Sequence, residues 1–124
     1  MNIAWVTVRR WNDMCTTTTD ALIRGLVNRG HDVTVLNADE VGSHDAFAWK
    51  HIPLQQSKWP GRKAATLAKN ARTWFKQHAD AEFDVILVDW PLAPVLGRSL
   101  ASRNCRLMLM DRSPPADATF LAGL

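Results

Sequence analysis

Between Asn2 and Asn37 the chain runs as apolar segment, polar loop, amphipathic segment, glycine and second apolar segment, an order that admits few folds. Asn2 to Val8 is short, mostly apolar and rich in β-branched residues, which predicts a buried strand. Thr16 to Thr19 followed by Asp20 predicts a helix start, with Thr17 and Asp20 at capping-box spacing and Asp in the place usually held by Glu. Leu22, Ile23, Leu26 and Val27 then recur at helical spacing, and Gly30 fits the left-handed residue just past a helix end. His31 to Asn37 predicts the second strand. A strand that runs straight into a helix N-terminus is how α/β folds open a cleft at the carboxyl edge of a sheet.

The rest of the chain continues this alternation. Ala38 to Ser57 is less regular, with a short strand expected near Trp49 to Pro53, and Trp59-Pro60-Gly61 marks a turn. Arg62 to His78 predicts a long helix, on which Ala64, Leu67, Ala68, Ala71, Trp74, Phe75 and His78 share one face and Arg62, Lys69, Arg72 and Lys76 form a basic stripe beside it. Phe83 to Asp89 is a near-continuous apolar run, suited to a parallel strand covered on both faces. A helix over Pro91 to Ser102 and a strand over Arg106 to Met110 follow. The whole predicts an α/β fold: a Rossmann-like open parallel sheet with helices on both faces. Ala116 to Leu124 looks like the start of another helix. It reads either as a frayed terminus or as the point where a longer protein continues.

Composition narrows the function classes. The chain has 124 residues, 47% hydrophobic and 22% charged, enough for one modest domain with a core. No apolar run approaches the roughly 20 residues of a membrane span, and Met1-Asn2 leads into the first strand without a signal-peptide pattern. Cys15 and Cys105 are far apart and lack metal-type spacing, so free thiols in a reducing cytoplasm are expected. A net charge of +3 is too small to imply nucleic acid.

Chemistry, if present, concentrates after the predicted strands. The loop Arg9 to Thr16 has no glycine, which argues against a dinucleotide site of the Gly-x-Gly-x-x-Gly type; no P-loop motif occurs anywhere. Arg9 and Arg10 beside a helix N-terminus would form an anion site, or would belong to a solvated loop. Asp13 suits a general base or an acceptor of a substrate hydroxyl, and equally a loop cap. Cys15 heads no phosphatase loop, because the arginine such a loop requires is replaced by Ala21. Asp89-Trp90-Pro91 and Asp111-Arg112 follow two further strands and so belong to the same sheet edge as the first loop. Each of these polar residues is as well explained by a strand end as by a site, and strand alternation would put Asp111 and Arg112 on opposite faces. His31 is expected to satisfy local backbone groups, while His44, His51 and His78 show no ligand spacing and no metal is expected. The basic 62–78 helix is either a solvated face or a peripheral contact with anionic lipid, with Trp74 and Phe75 assigned to core or interface.

Asn-Ile-Ala-Trp-Val-Thr-Val, the Leu-Ile-Arg-Gly-Leu-Val helix, Asn-Arg-Gly-His-Asp-Val-Thr-Val-Leu and the later Phe-Asp-Val-Ile-Leu-Val-Asp together resemble the N-terminal domain of group 1, family 4-like glycosyltransferases. The resemblance covers most of the chain in order, with motifs shared by other Rossmann-like folds. It implies a two-domain GT-B enzyme that moves a sugar from a nucleotide-sugar donor to an acceptor hydroxyl, with residues 1–124 as the acceptor-side half. The donor, a co-substrate rather than a cofactor, would be held mainly by a C-terminal domain carrying a Glu-x7-Glu motif absent from these residues. The present half alone would then be inactive, and its partners would be a sugar or lipid-linked acceptor and that second domain. The family's glycine-rich first loop is replaced by Arg9-Arg10-Trp11-Asn12-Asp13. The implied cleft residues are Arg9, Arg10, Trp11, Asp13, Thr16, Asp89, Asp111 and Arg112, with Asp13 the candidate base for an inverting enzyme. The implied location is cytoplasmic, peripheral to the inner membrane face if the 62–78 helix contacts lipid.

Two other readings stand beside it. A receiver-type signalling module has a similar element order up to Asp89, but Arg9 and Arg10 replace the acidic pair that would bind Mg²⁺, and no Lys follows the Arg106–Met110 strand. A non-catalytic Rossmann-like binding domain requires none of these residues.

Overall fold

The computed structural model describes residues 1–8, 16–38, 49–55, 62–101, 103 and 105–110; for residues 16–19 only the backbone is described. Among the described residues, five strands form a single parallel sheet in the order β3-β2-β1-β4-β5. They are β1 (Asn2–Val6), β2 (Asp32–Asn37), β3 (Lys50–Pro53), β4 (Val85–Asp89) and β5 (Arg106–Met110). The helices are α1 (Thr16–Asn28), α2 (Lys63–Gln77) and α3 (Ala93–Leu100), the last preceded by a 3₁₀ turn at Trp90–Leu92.

Strand alternation divides the core in two. Ile3, Trp5, Val33, Val35 and Leu87 point to the face covered by Ile23 of α1 and by Trp49. Ala4, Val6, Leu36, Ile86 and Val88 point to the other face. There they meet Leu67, Ala68, Ala71 and Phe75 of α2, Leu92 of the 3₁₀ turn, and Leu96 and Leu100 of α3. Helices thus cover both faces, the doubly wound Rossmann-like architecture that the alternation of elements predicts.

The turn between α1 and β2 forms as its sequence requires. Gly30 has φ +90°, its N–H donates to Val27 O, and the His31 N–H donates to Leu26 O. This is the Schellman arrangement, in which a left-handed glycine lets the chain reverse and satisfies the last helical carbonyls. His31 serves as the residue beyond that glycine, and its Nδ1 lies 3.1 Å from the N-terminal amine. Its role is structural, as expected, although its ring meets the chain's N-terminal amine rather than local backbone groups.

Several boundaries and faces differ from the sequence pattern. The first strand ends at Val6 rather than Val8, although the Thr7 N–H still donates to Leu36 O. The second begins at Asp32 because His31 is taken up by the helix cap. Thr17 is a helical residue, not a cap, and Asp20 instead pairs with Arg24 at 2.8 Å one turn on. Leu22 is exposed: Ile23 is buried and Leu26 and Val27 are partly buried, and the centre of that stripe lies roughly 90° around the helix from Leu22. His78 is exposed because α2 ends at Gln77; it stacks on Trp74, with ring centroids 4.2 Å apart. The predicted Phe83–Asp89 strand starts at Val85, with Phe83 packed against the α2 core instead. The predicted Pro91–Ser102 helix begins as the 3₁₀ turn and closes at Leu100. The Trp59-Pro60-Gly61 turn and the 116–124 helix lie outside the described residues.

β5 has the boundaries the sequence predicts. Met108 and Leu109 point to opposite faces and are both exposed. Among the described strands it pairs with β4 and is the outermost.

Candidate functional site

The carboxyl edge of the sheet carries a row of buried polar side chains. The register pairs Val6 with Leu36 and with Val88, Asn37 with Pro53, and Asp89 with Met110. One residue further along β1, Thr7 therefore stands between Asn37 and Asp89. All three continue the α1 side of the sheet two residues beyond Val35, Trp5 and Leu87. Thr7 and Asn37 are fully buried and Asp89 is 5% exposed.

A carboxylate so placed must find donors for both oxygens. Asp89 Oδ1 accepts from Trp5 Nε1 at 2.9 Å. Its Oδ2 accepts from Thr7 Oγ1 at 2.6 Å and from the Val8 N–H at 3.0 Å. Three residues of the β1 exit, Trp5, Thr7 and Val8, are thereby fixed from β4, and Val8 is the residue from which the first loop departs. The geometry suits Asp89 to positioning the mouth of that loop, with its carboxylate committed to the protein's own donors. In the same row, Asn37 Oδ1 accepts from His51 Nε2 at 2.6 Å, which places a proton on Nε2. His51 lies one pleat back on β3, level with Val35.

Of the residues singled out in the sequence, Asp89 is at this edge and buried, and Thr16 is the first residue of α1, whose N-terminus follows the same loop. Arg9, Arg10, Trp11, Asp13, Asp111 and Arg112 lie outside the described residues, as does Cys15. Trp5, Thr7, Asn37 and His51 were not anticipated. A signal for two of them, Thr7 and Asn37, exists: counting in twos from the apolar residues of β1 and β2 reaches a polar residue at each strand end, on the face that Asp89 shares. Their pairing with Asp89 or His51 depends on register between distant segments, which no local pattern contains.

Two open cavities lie at the opposite, amino edge. One of about 710 Å³ is bounded by Phe75, Phe83, Leu100, Arg103 and Cys105. Its arginine is occupied structurally: Arg103 Nη1 donates to Phe75 O and Nη2 to Ala81 O, clipping the end of α2 to the segment before β4. Burial pushes the Cys105 thiol up from its ordinary pKa, with the Arg103 charge opposing. The second, of about 830 Å³, runs past Gly30, His31, Trp74 and His78. Neither includes the polar row. Among the described residues no group of three or more His, Cys, Asp or Glu is arranged to hold a metal ion.

No protein-family model matches the chain, and no curated protein matches it in sequence. Solved structures do resemble it in fold. A UGT transferase from Siraitia grosvenorii, solved in complex with UDP, matches 99% of this chain and 30% of its own, at 14% identity and a TM-score of 0.64. The glycotransferase of kitacinnamycin matches 98% of this chain and 34% of its own, at 20% identity and a TM-score of 0.63. The C-terminal domain of the PF1911 hydrogenase from Pyrococcus furiosus matches 88% of this chain and 90% of its own, at 10% identity and a TM-score of 0.65. The chain spans about a third of the length of the two glycosyltransferases. At these identities the likeness establishes the fold alone, a Rossmann-like α/β sheet.

Proposed function

We propose that residues 1–124 are the acceptor-side, N-terminal domain of a group 1, family 4-like glycosyltransferase, which moves a sugar from a nucleotide donor to an acceptor hydroxyl. The observation that carries this reading is the match of nearly the whole chain to a third of two glycosyltransferases. The polar carboxyl edge supports it, because open α/β sheets bind ligands in the crevice beyond their strand ends. In this reading the loops after β1, β4 and β5 line the acceptor cleft through Arg9, Arg10, Trp11, Asp13, Asp111 and Arg112, with Asp89 bracing the first of them. Thr16 opens the helix that follows the same loop. The nucleotide sugar is held chiefly by a second, C-terminal domain, and catalysis comes from positioning the acceptor hydroxyl and stabilising the departing diphosphate. The protein works in the cytoplasm.

The test is transfer by the product of the complete reading frame, incubated with UDP-hexoses and a panel of sugar, aryl and polyprenyl-phosphate acceptors. Acceptor-dependent release of UDP that falls on Arg9→Ala or Arg10→Ala is the expected result. A complete product with no second domain and no transfer sinks the reading. A second reading, a non-catalytic Rossmann-like binding domain, is favoured by the hydrogenase domain, which the chain matches over nearly its full length. That outcome predicts ligand binding without turnover.

A further inference from the structure

Trp90 is the one exposed aromatic among the large hydrophobic side chains left in solvent by the described residues; the others are Met1, Leu22, Met108 and Leu109. It is 56% exposed, between Asp89 at 5% and Leu92 at 0%. Its backbone is held on both sides. Asp89 leaves β4 in an extended conformation and is bonded through its side chain to Trp5, Thr7 and Val8. After Trp90, Pro91 fixes one backbone dihedral, and the Ala93 N–H donates back to Trp90 O. The indole thus stands on a rigid turn at the first position beyond the carboxyl end of a central strand, where an open α/β sheet presents its crevice. A large, solvated ring with a fixed backbone gives up little conformational entropy when it is covered. Its π face matches a flat face of C–H groups or a second π system.

We propose that Trp90 is a stacking platform for the ring of the acceptor, which is a pyranose or an aryl group bearing hydroxyls. The platform takes the apolar face of that ring. This assignment rests on the acceptor-side reading, and it names the part of the acceptor that this chain recognises.

The experiment titrates the ¹⁵N-labelled chain with methyl β-D-glucopyranoside, a ring without an aromatic group, and separately with resorcinol, an aromatic ring without a sugar. The Trp90 indole N–H resonance is identified by its loss in Trp90→Phe, and the buried Trp5 and Trp49 resonances serve as controls. A saturable shift of the Trp90 resonance with at least one probe is expected. Followed on the Leu92 and Ala93 amides, the same titration should weaken roughly tenfold in Trp90→Ala and remain within about threefold in Trp90→Phe. A shift with the glucoside alone identifies a sugar acceptor, and with resorcinol alone an aryl acceptor. The proposal is overturned if neither probe moves the resonance up to roughly 50 mM, a range that covers weak single-ring contacts. It is equally overturned if Trp90→Ala, folded by circular dichroism, binds as tightly as the parent. Binding here needs neither donor nor turnover. Stacking without transfer by the complete protein therefore sinks only the enzymatic reading, and transfer without a Trp90 response sinks only the platform.

Discussion

Trp5 and Asp89, 84 positions apart in the chain, are joined by a buried 2.9 Å hydrogen bond from the indole Nε1 to Oδ1, across the β1–β4 pair. The same carboxylate holds Thr7 and Val8, so its loss removes three hydrogen bonds at a buried strand end. Asp89→Ala should cost about 2–4 kcal/mol of stability in urea unfolding. Asp89→Asn should cost less but remain destabilising, because an amide turns an N–H toward fixed N–H donors. Trp5→Phe keeps most of the buried ring and removes one donor, with an expected loss of about 1–2 kcal/mol. An Asp89→Ala protein as stable as the parent would show that the carboxylate does not brace the loop.

Gly30 and Gly25 should respond in opposite directions to the same change. An added Cβ meets nothing within 4 Å at either position, so packing does not decide the outcome. Gly30 has φ +90°, where an L side chain is strained, and Gly30→Ala should destabilise by about 1 kcal/mol. Gly25 sits inside α1 without positive φ, and Gly25→Ala should stabilise by about 0.5–1 kcal/mol. Thermal unfolding of the two variants under one buffer condition measures both signs.

What the sequence disclosed follows from the range of each interaction. The Gly30 turn is made by neighbours, and the segment Leu26–Asn37 carries all its determinants. Arg106–Met110 was legible as a strand because its apolar run is bounded on both sides, yet its exposure was not, since cover depends on what packs alongside. Leu22 and His78 were misplaced because helical periodicity is blind to how wide a stripe the sheet will bury and where the helix stops. The candidate site was legible only as strand ends. Asp89 stood out as the last residue of an apolar run, whereas its partners Trp5 and Thr7 became recognisable only once β1 and β4 were side by side in register.

Cys105 gives a pH-dependent prediction. Burial raises its pKa above the ordinary value of 9.0, and Arg103 opposes that rise. Between the unfolded and folded pKa values the folded chain keeps the proton while the unfolded chain has lost it, so stability falls as pH rises through that window. The thiol should therefore alkylate more slowly with iodoacetamide near pH 9 than the unfolded chain does. Arg103→Gln should slow the reaction further at fixed pH if the fold holds, because the charge that favours the thiolate is gone. A faster reaction would instead report opening of the α2 end, where Arg103 bonds Phe75 O and Ala81 O.

Membrane association through α2 should be purely electrostatic. Leu67, Ala68, Ala71 and Phe75 are buried against the sheet, and Trp74 packs beside Phe75 and Phe83, so the helix retains no apolar face to insert. Arg62, Lys69 and Lys76 are exposed and Arg72 half-exposed along the stripe that the sequence predicts. Each such charge near an anionic bilayer contributes about 1 kcal/mol, and the attraction decays over a Debye length of about 8 Å at physiological salt. Sedimentation with phosphatidylserine vesicles should therefore show binding at low ionic strength that disappears at roughly 0.5 M NaCl, where the Debye length is only a few ångströms. Binding should also fall several-fold in Lys69→Gln/Lys76→Gln. Phosphatidylcholine vesicles should not bind. Attachment that survives high salt, or that does not distinguish the two lipids, would require an inserted apolar surface and would place the contact somewhere other than α2.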